Sequence, residues 1–322
     1  MQNAFSKMLG IEFPVIMAPM FLVSTAEMVI AALENGITAA IPALNYRTDH
    51  ELRQAILEIR KKSDKAFGIN LIVNKSNYKY PAALKTCIEL KVDFIITSLG
   101  NPKDAINQCK AAGIKVFCDV VDLTYALKVE ALGADAVVAV NSRAGGHAGA
   151  LSPEEFIPLL KKNLKIPVIS AGGIATGGQI KKGLELGADG FSIGTLFIAS
   201  DEAPVSKEYK EALIHYSAKD IVLTTKLSGT ALTVINTPAV KAMGTRAGFP
   251  ERMMFRFKGL RKYLKLLIAI RGLRLLRASA TANSYQTVWC AGPSIEHIHS
   301  IRPLKEIIQT LRKEYEEAVL VS

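Results

Sequence analysis

ADAVVAVNSRAGGHAGALS (134–152), IPVISAGGIATGG (166–178) and GADGFSIGTLF (187–197) follow one another in this chain, separated by two helix-like segments. Each contains a short β-branched run, at 136–140, 168–170 and 191–193, that stops abruptly in glycine. Runs of this kind suit strands buried on both faces. The first glycine loop carries His147. The other two have the composition of a phosphate cradle, in which small residues let backbone N–H groups approach an anion.

Working outward, one phrase recurs: a helix end, a glycine, then an apolar run. It is seen in ENGITAAIPAL (34–44), ELKVDFIITSL (89–99, with Lys91 in the glycine's place), ALGADAVVAV (131–140) and ELGADGFSIG (185–194). Glycine just past a helix suits the left-handed cap position. Similar runs lie at 14–18, 66–72, 114–120 and 166–170, with helix-length segments such as 50–62, 102–112 and 177–186 between them. Eight strands alternating with helices imply parallel pairing and close into a (β/α)8 barrel. The rival is an open doubly wound sheet, but the first strand leads into APMFLVST and no G-x-G-x-x-G follows it. The expected class is α/β, a (β/α)8 TIM barrel with a smaller, mainly helical C-terminal subdomain. The barrel is expected over residues 1–215 and a substrate-side subdomain with basic helices over 216–283. Residues 284–322 are expected as a C-terminal segment whose helix, 303–319, packs back on the barrel.

The 322 residues are 49% apolar, enough for a sizeable core. No basic start with an apolar run and cleavage site is present, nor a run of 18 apolar residues, so a cytoplasmic protein is expected. Cys87, Cys109, Cys118 and Cys290 are scattered and read as reduced thiols. The net charge of +11 is local: Arg252 to Arg277 holds nine basic residues and no acidic one, and without them 31 basic side chains face 29 acidic ones. At helical spacing Leu260, Tyr263, Leu264, Leu267 and Ile268 share one face, with Lys258, Arg261, Lys262 and Lys265 opposite. The phase slips near Ala269, which suggests two short helices. They suit a lid or a homodimer contact first, and an acidic partner or substrate second. Nucleic acid ranks last, because no recognised motif accompanies the charge.

In a parallel barrel the chemistry sits at the C-terminal ends of the strands, and phosphate binds after the seventh and eighth. By count these are Ser170, Ala171, Gly172 and Gly173, then Gly194 and Thr195. His147 follows Ala144, Gly145 and Gly146 at the end of the sixth strand, where an imidazole can exchange protons near neutral pH. Asn70, ending the third, suits either a polar ligand to a heterocycle's edge or a turn former. His297 and His299 share one face if extended, but only Glu296 joins them, so no metal site is expected.

FPVIMAPM (13–20), FGINL (67–71), AGGHAG (144–149), IPVISAGGI (166–174) and IGTLF (193–197), in this order, resemble the nitronate monooxygenases, formerly 2-nitropropane dioxygenases. The related flavin-dependent enoyl-acyl carrier protein reductases share most of these motifs. The resemblance implies an FMN-dependent barrel enzyme in which Ala18, Pro19 and Met20 lie against the flavin and Asn70 bonds its polar edge. It further implies that Ala144, Gly145 and Gly146 flank the flavin, that His147 is catalytic, and that Ser170, Ala171, Gly172, Gly173, Gly194 and Thr195 hold the phosphate. The implied activity is oxidation of alkyl nitronates with O2 to a carbonyl compound and nitrite, with His147 as base on neutral nitroalkanes. The alternatives are an NAD(P)H-using enoyl-acyl carrier protein or quinone reductase, and an FMN-binding protein without this chemistry. The chain departs from the family pattern at Arg143 (often acidic), at Pro293 (often Gln) and at Thr230 and Thr233 (Arg expected). All three departures lie on the substrate side, and Arg143 would favour an anionic substrate.

Overall fold

The computed structural model describes residues 3–226, 231–245 and 288–321. The expectations for the basic stretch 252–277 therefore lie outside the described residues. The chain begins with α1 (Ala4–Leu9), β1 (Val15–Met17), α2 (Ala26–Glu34), β2 (Thr38–Pro42), α3 (Asp49–Lys62) and β3 (Gly68–Ile72). Next come α4 (Tyr80–Glu89), β4 (Phe94–Ser98), α5 (Lys103–Ala111), β5 (Lys115–Val120), α6 (Leu123–Ala131) and β6 (Ala136–Val140). A two-residue strand, β7 (Gly146–His147), precedes α7 (Pro153–Asn163), β8 (Val168–Ala171), α8 (Gly177–Glu185), β9 (Gly190–Ile193) and α9 (Thr195–Ile198). The described remainder is α10 (Lys207–His215), β10 (Ile221–Thr224), β11 (Leu232–Ile235), α11 (Pro238–Met243) and α12 (Leu304–Leu320).

Eight strands close in the order β1-β2-β3-β4-β5-β6-β8-β9. Every neighbouring pair is parallel, and Met17 opposite Ile193 joins the last strand to the first. The expected (β/α)8 barrel is present. Its helices begin where the sequence supplies oxygen caps: Thr25, Thr48, Asp122, Ser152 and Thr176 each accept a hydrogen bond from an N–H of the first turn. Such a cap is worth about 1 kcal/mol.

Strand alternation sorts the side chains. Val15, Ile69, Leu71, Ile95, Val116, Cys118 and Val137 face the helices, whereas Ile16, Phe94, Ile96, Phe117 and Val138 form a separate inner cluster. The lower interior is aromatic: Phe94 and Phe117 stack at 4.8 Å, and Phe5 of α1 approaches Phe117 at 6.0 Å, closing the barrel floor. Gly68 makes room for this layer, since a Cβ there would lie 2.2 Å from the Phe94 ring.

Two further features frame the mouth. α12 packs Leu304, Ile307, Ile308 and Leu311 into the core and contacts α8 and α2, as expected for the C-terminal helix. Burying each such side chain contributes about 1.5–3 kcal/mol. The second feature was not foreseen: β7, from the loop after β6, pairs antiparallel with β11, which pairs with β10. Among the described residues no helix is long and apolar enough to cross a membrane.

Candidate functional site

The same alternation that fills the barrel floor with rings brings polar groups to its upper end. Asn70, between helix-facing Ile69 and Leu71, points inward. Ser98 follows inner Ile96 by two positions, and Asp119 follows inner Phe117 by two. The inner layer is thus apolar below and polar at the C-terminal ends of β3, β4 and β5. Burying polar groups is costly unless they are partnered, so a polar layer there implies that something completes it.

On the opposite wall, Gly172 and Gly173 after β8 take positive φ of 116° and 80°. A Cβ on Gly172 would lie 2.5 Å from Ala144 N and 2.6 Å from Asn141 Oδ1, so the close approach of the two loops requires glycine. Asn141 stitches them, donating to Gly172 O at 3.0 Å and accepting from Arg143 N at 2.8 Å. Gly194 lies beside Ala18 and Met20: a Cβ on it would be 3.6 Å from Ala18 Cβ and 3.4 Å from Met20 Sδ. Ser24 holds the 18–20 turn, donating to Ala18 O and accepting from Met20 N.

The N–H groups of Gly172, Gly173, Gly194 and Thr195 find no acceptor among the described residues. Those opening α8 are spent instead: Ala175 and Thr176 donate to Gln179 Oε1, and Gly177 donates to Glu314 Oε2 of α12. Four donors without a protein acceptor on two adjacent glycine loops are the kind of group that an anion could satisfy. The Thr195 hydroxyl accepts from Gly292 N at 3.0 Å and keeps its own proton for a ligand. Ser170 sits between inner Ile169 and Ala171, so its side chain alternates towards the helices and adds no hydroxyl to this set.

The Gly-Gly-His segment is held as β7. Leu232 lies opposite His147 and Thr233 opposite Gly146. Gly145 is pressed against the C-terminal segment, since a Cβ there would lie 2.9 Å from Gly292 N and 3.0 Å from Thr195 Oγ1. The His147 ring has an exposed edge, yet enough protein surrounds it that desolvation pulls its pKa below the ordinary 6.5. At neutral pH the imidazole is uncharged and able to accept a proton.

Asn70 donates both N–H bonds, to Ile96 O at 3.1 Å and to Ser98 Oγ at 2.7 Å, and Ser98 in turn donates to Asp119 Oδ2. Burial raises the Asp119 pKa to about 6. Ser98 and Asp119 escaped the sequence argument. The signal for Asp119 was a lone carboxylate inside the apolar run KVFCDVV (115–121).

Arg143 forms an ion pair with Glu154 at 3.0 Å, and Glu154 also takes Lys182, so this cluster of two cations and one carboxylate keeps a net positive charge. Residues 293–297 form a 3-10 turn that ends at His297, Ile298 is extended but belongs to no strand, and His297 Nε2 lies 3.1 Å from Gln179 Nε2. Among the described residues no group of three His, Cys, Asp or Glu is placed to hold a metal ion.

Comparison with known proteins follows this geometry. The family model described as nitronate monooxygenase matches residues 2–314. A nitronate monooxygenase from Paraburkholderia phytofirmans is 28% identical across 99% of this chain and 96% of its own. The solved structure of FabK from Thermotoga maritima superposes with a TM-score of 0.87 at 31% identity, covering 100% of this chain and 98% of that one. The nitroalkane oxidase of Streptomyces ansochromogenes, at 23% identity, shares the fold with a TM-score of 0.80 and 99% coverage of both chains. With a family match over nearly its whole length, the chain belongs to the nitronate monooxygenase family of oxidoreductases.

Proposed function

We propose that the barrel mouth binds FMN and that the protein oxidises alkyl nitronates with O2, giving a carbonyl compound and nitrite. The observation that carries this is the set of N–H groups on Gly172, Gly173, Gly194 and Thr195 that have no acceptor among the described residues, on loops that follow parallel strands of the same barrel as Asn70. The phosphate would occupy that cradle, with Ala171 closing its floor. The ring would lie between Ala18, Pro19 and Met20 on one side and Ala144, Gly145 and Gly146 on the other. FMN supplies one-electron oxidation and reaction with O2, chemistry that no side chain here can perform.

The chain's own residues would orient and protect. Asn70, with both N–H bonds spent, offers its Oδ1 as an acceptor. Uncharged His147 takes the α-proton of a neutral nitroalkane on a ring nitrogen. For a substrate that arrives as the nitronate it only positions the anion. Desolvation favours this neutral form, since a charged imidazole would be poorly hydrated here.

A second function has one supporting observation, the likeness to FabK over the full chain. It is an NAD(P)H-dependent enoyl-acyl carrier protein or quinone reductase on the same FMN site. The discriminating experiment adds propionate 3-nitronate, ethylnitronate, NADH and NADPH in parallel to anaerobic yellow protein. Bleaching by a nitronate supports the proposal, and bleaching by a nicotinamide alone transfers it to the reductase. A colourless protein that releases no FMN on denaturation removes both.

A further inference from the structure

The hydrogen bonds across β3, β4 and β5 have a direction. Asn70 Nδ2 has two hydrogens and meets two acceptors, Ile96 O and Ser98 Oγ. A serine hydroxyl has one hydrogen, and that of Ser98 goes to Asp119 Oδ2. Ser98 Oγ is therefore an acceptor towards Asn70, and Asp119, as a carboxylate, is the group that makes it so. Asn70 is left with Oδ1 unpaired at the upper end of the inner layer, and that layer has no other side-chain amide on these three strands.

We propose that Asp119 is a positioning residue of the flavin site: acting through Ser98 and alongside the Ile96 carbonyl, it holds the sense of the hydrogen bonds so that Asn70 presents a carbonyl oxygen to the bound ring. This rests on the FMN reading of the mouth. It deepens that reading by naming two residues, on strands that carry no glycine motif, as selectors of the ligand's edge. An acceptor held in this way recognises a ring that carries an N–H beside its carbonyl groups. Oxidised isoalloxazine has one such group, at N3. A ring without that hydrogen would leave Oδ1 unpaired and bind more weakly.

The sense of the chain, as opposed to the charge at its end, makes a distinctive prediction. In Asp119→Asn the new amide oxygen can still accept from Ser98, so the direction survives although the charge is gone. In Asp119→Leu the Ser98 hydrogen has no acceptor, and in Ser98→Ala the link itself is removed. The test uses full-length protein at pH 7.5 and titrates FMN and N3-methyl-FMN by fluorescence quenching. The N3–H resonance of 15N-labelled FMN is followed in the same samples. Wild type and Asp119→Asn are expected to bind FMN within about twofold of each other and to show a protected N3–H signal. Ser98→Ala and Asp119→Leu are expected to bind FMN about three- to tenfold more weakly, to lose that protection, and to be no worse when combined. N3-methyl-FMN is expected to bind all four proteins alike. FMN affinity and N3–H protection unchanged in Ser98→Ala would overturn the inference, as would Asp119→Asn behaving like Asp119→Leu. A wild type that binds no FMN overturns the flavin reading, and this inference with it.

Discussion

Thr233 Oγ1 donates to the carbonyl of Ala144 at 2.5 Å and lies 3.2 Å from that of Gly146, so one hydroxyl fastens β11 to the segment that ends in His147. The position expected to hold arginine thus acts on the main chain. Thr233→Val keeps the shape and loses the donor, leaving a buried carbonyl unpaired at a cost of about 1–3 kcal/mol. We expect turnover to drop while FMN content per chain stays at the wild-type value. Equal losses of both in a comparison of A450/A280 with kcat would refute a role confined to β7.

His147→Asn removes the proton acceptor without enlarging the side chain. With a neutral nitroalkane, kcat/KM is expected to fall by about 100-fold or more. With the preformed nitronate the loss should be within a few fold. The wild-type nitroalkane rate should fall on the acid side with a midpoint below 6.5, because desolvation lowers the imidazole pKa and the protonated form cannot act as base. A midpoint above 6.5, or equal losses on both substrates, would remove the assignment.

Gly172→Ala places a Cβ 2.5 Å from Ala144 N at a φ of 116°. Strain of this kind costs about 1–3 kcal/mol before the loops separate. The variant should melt several degrees lower and retain little FMN through gel filtration. Gly178→Ala, where a Cβ meets nothing, is the matched control and should retain the cofactor.

Asp119 gives a stability prediction with a definite sign. Burial raises its folded pKa to about 6 from the ordinary 3.8, so the folded state binds the proton more tightly than the unfolded chain does. Stability is therefore lost as pH rises from about 4 to 6 and stays lower above that range, by about 3 kcal/mol for a shift of this size. FMN-free Asp119→Asn should be more stable than wild type at pH 7.5, and the gain should vanish near pH 4. Urea melts at the two pH values measure it; a variant less stable at pH 7.5 contradicts the sign.

The barrel was legible because its signal is repeated. Eight apolar runs, four of them following a glycine or lysine at a helix exit, leave little choice of topology, and Ala136–Val140, Val168–Ala171 and Gly190–Ile193 lie where the runs predict. The placement of the glycine loops was legible for the same reason, since counting strands puts Gly172, Gly173, Gly194 and Thr195 after the seventh and eighth strands of the barrel. The direction of the Ser170 side chain was not legible, because composition ignores alternation: its neighbours Ile169 and Ala171 take the inner face. β7 could not be foreseen, because two residues carry no periodicity and their partner, β11, lies 85 positions downstream of Leu232's opposite, His147. The partner of Arg143 could not be read, because Glu154 sits on a separate helix and local sequence does not encode the pairing.

The antiparallel pairing of β7 with β11 divides ownership of the mouth. The glycine loops after β8 and β9 belong wholly to the barrel, whereas His147 is paired with a strand drawn from the later segment. Drift in that segment can re-aim the imidazole or change its neighbours without disturbing a single residue of those loops. A lineage built this way can exchange reactions while keeping its coenzyme, and differences of activity between relatives should then track β10 and β11 more closely than the glycine loops.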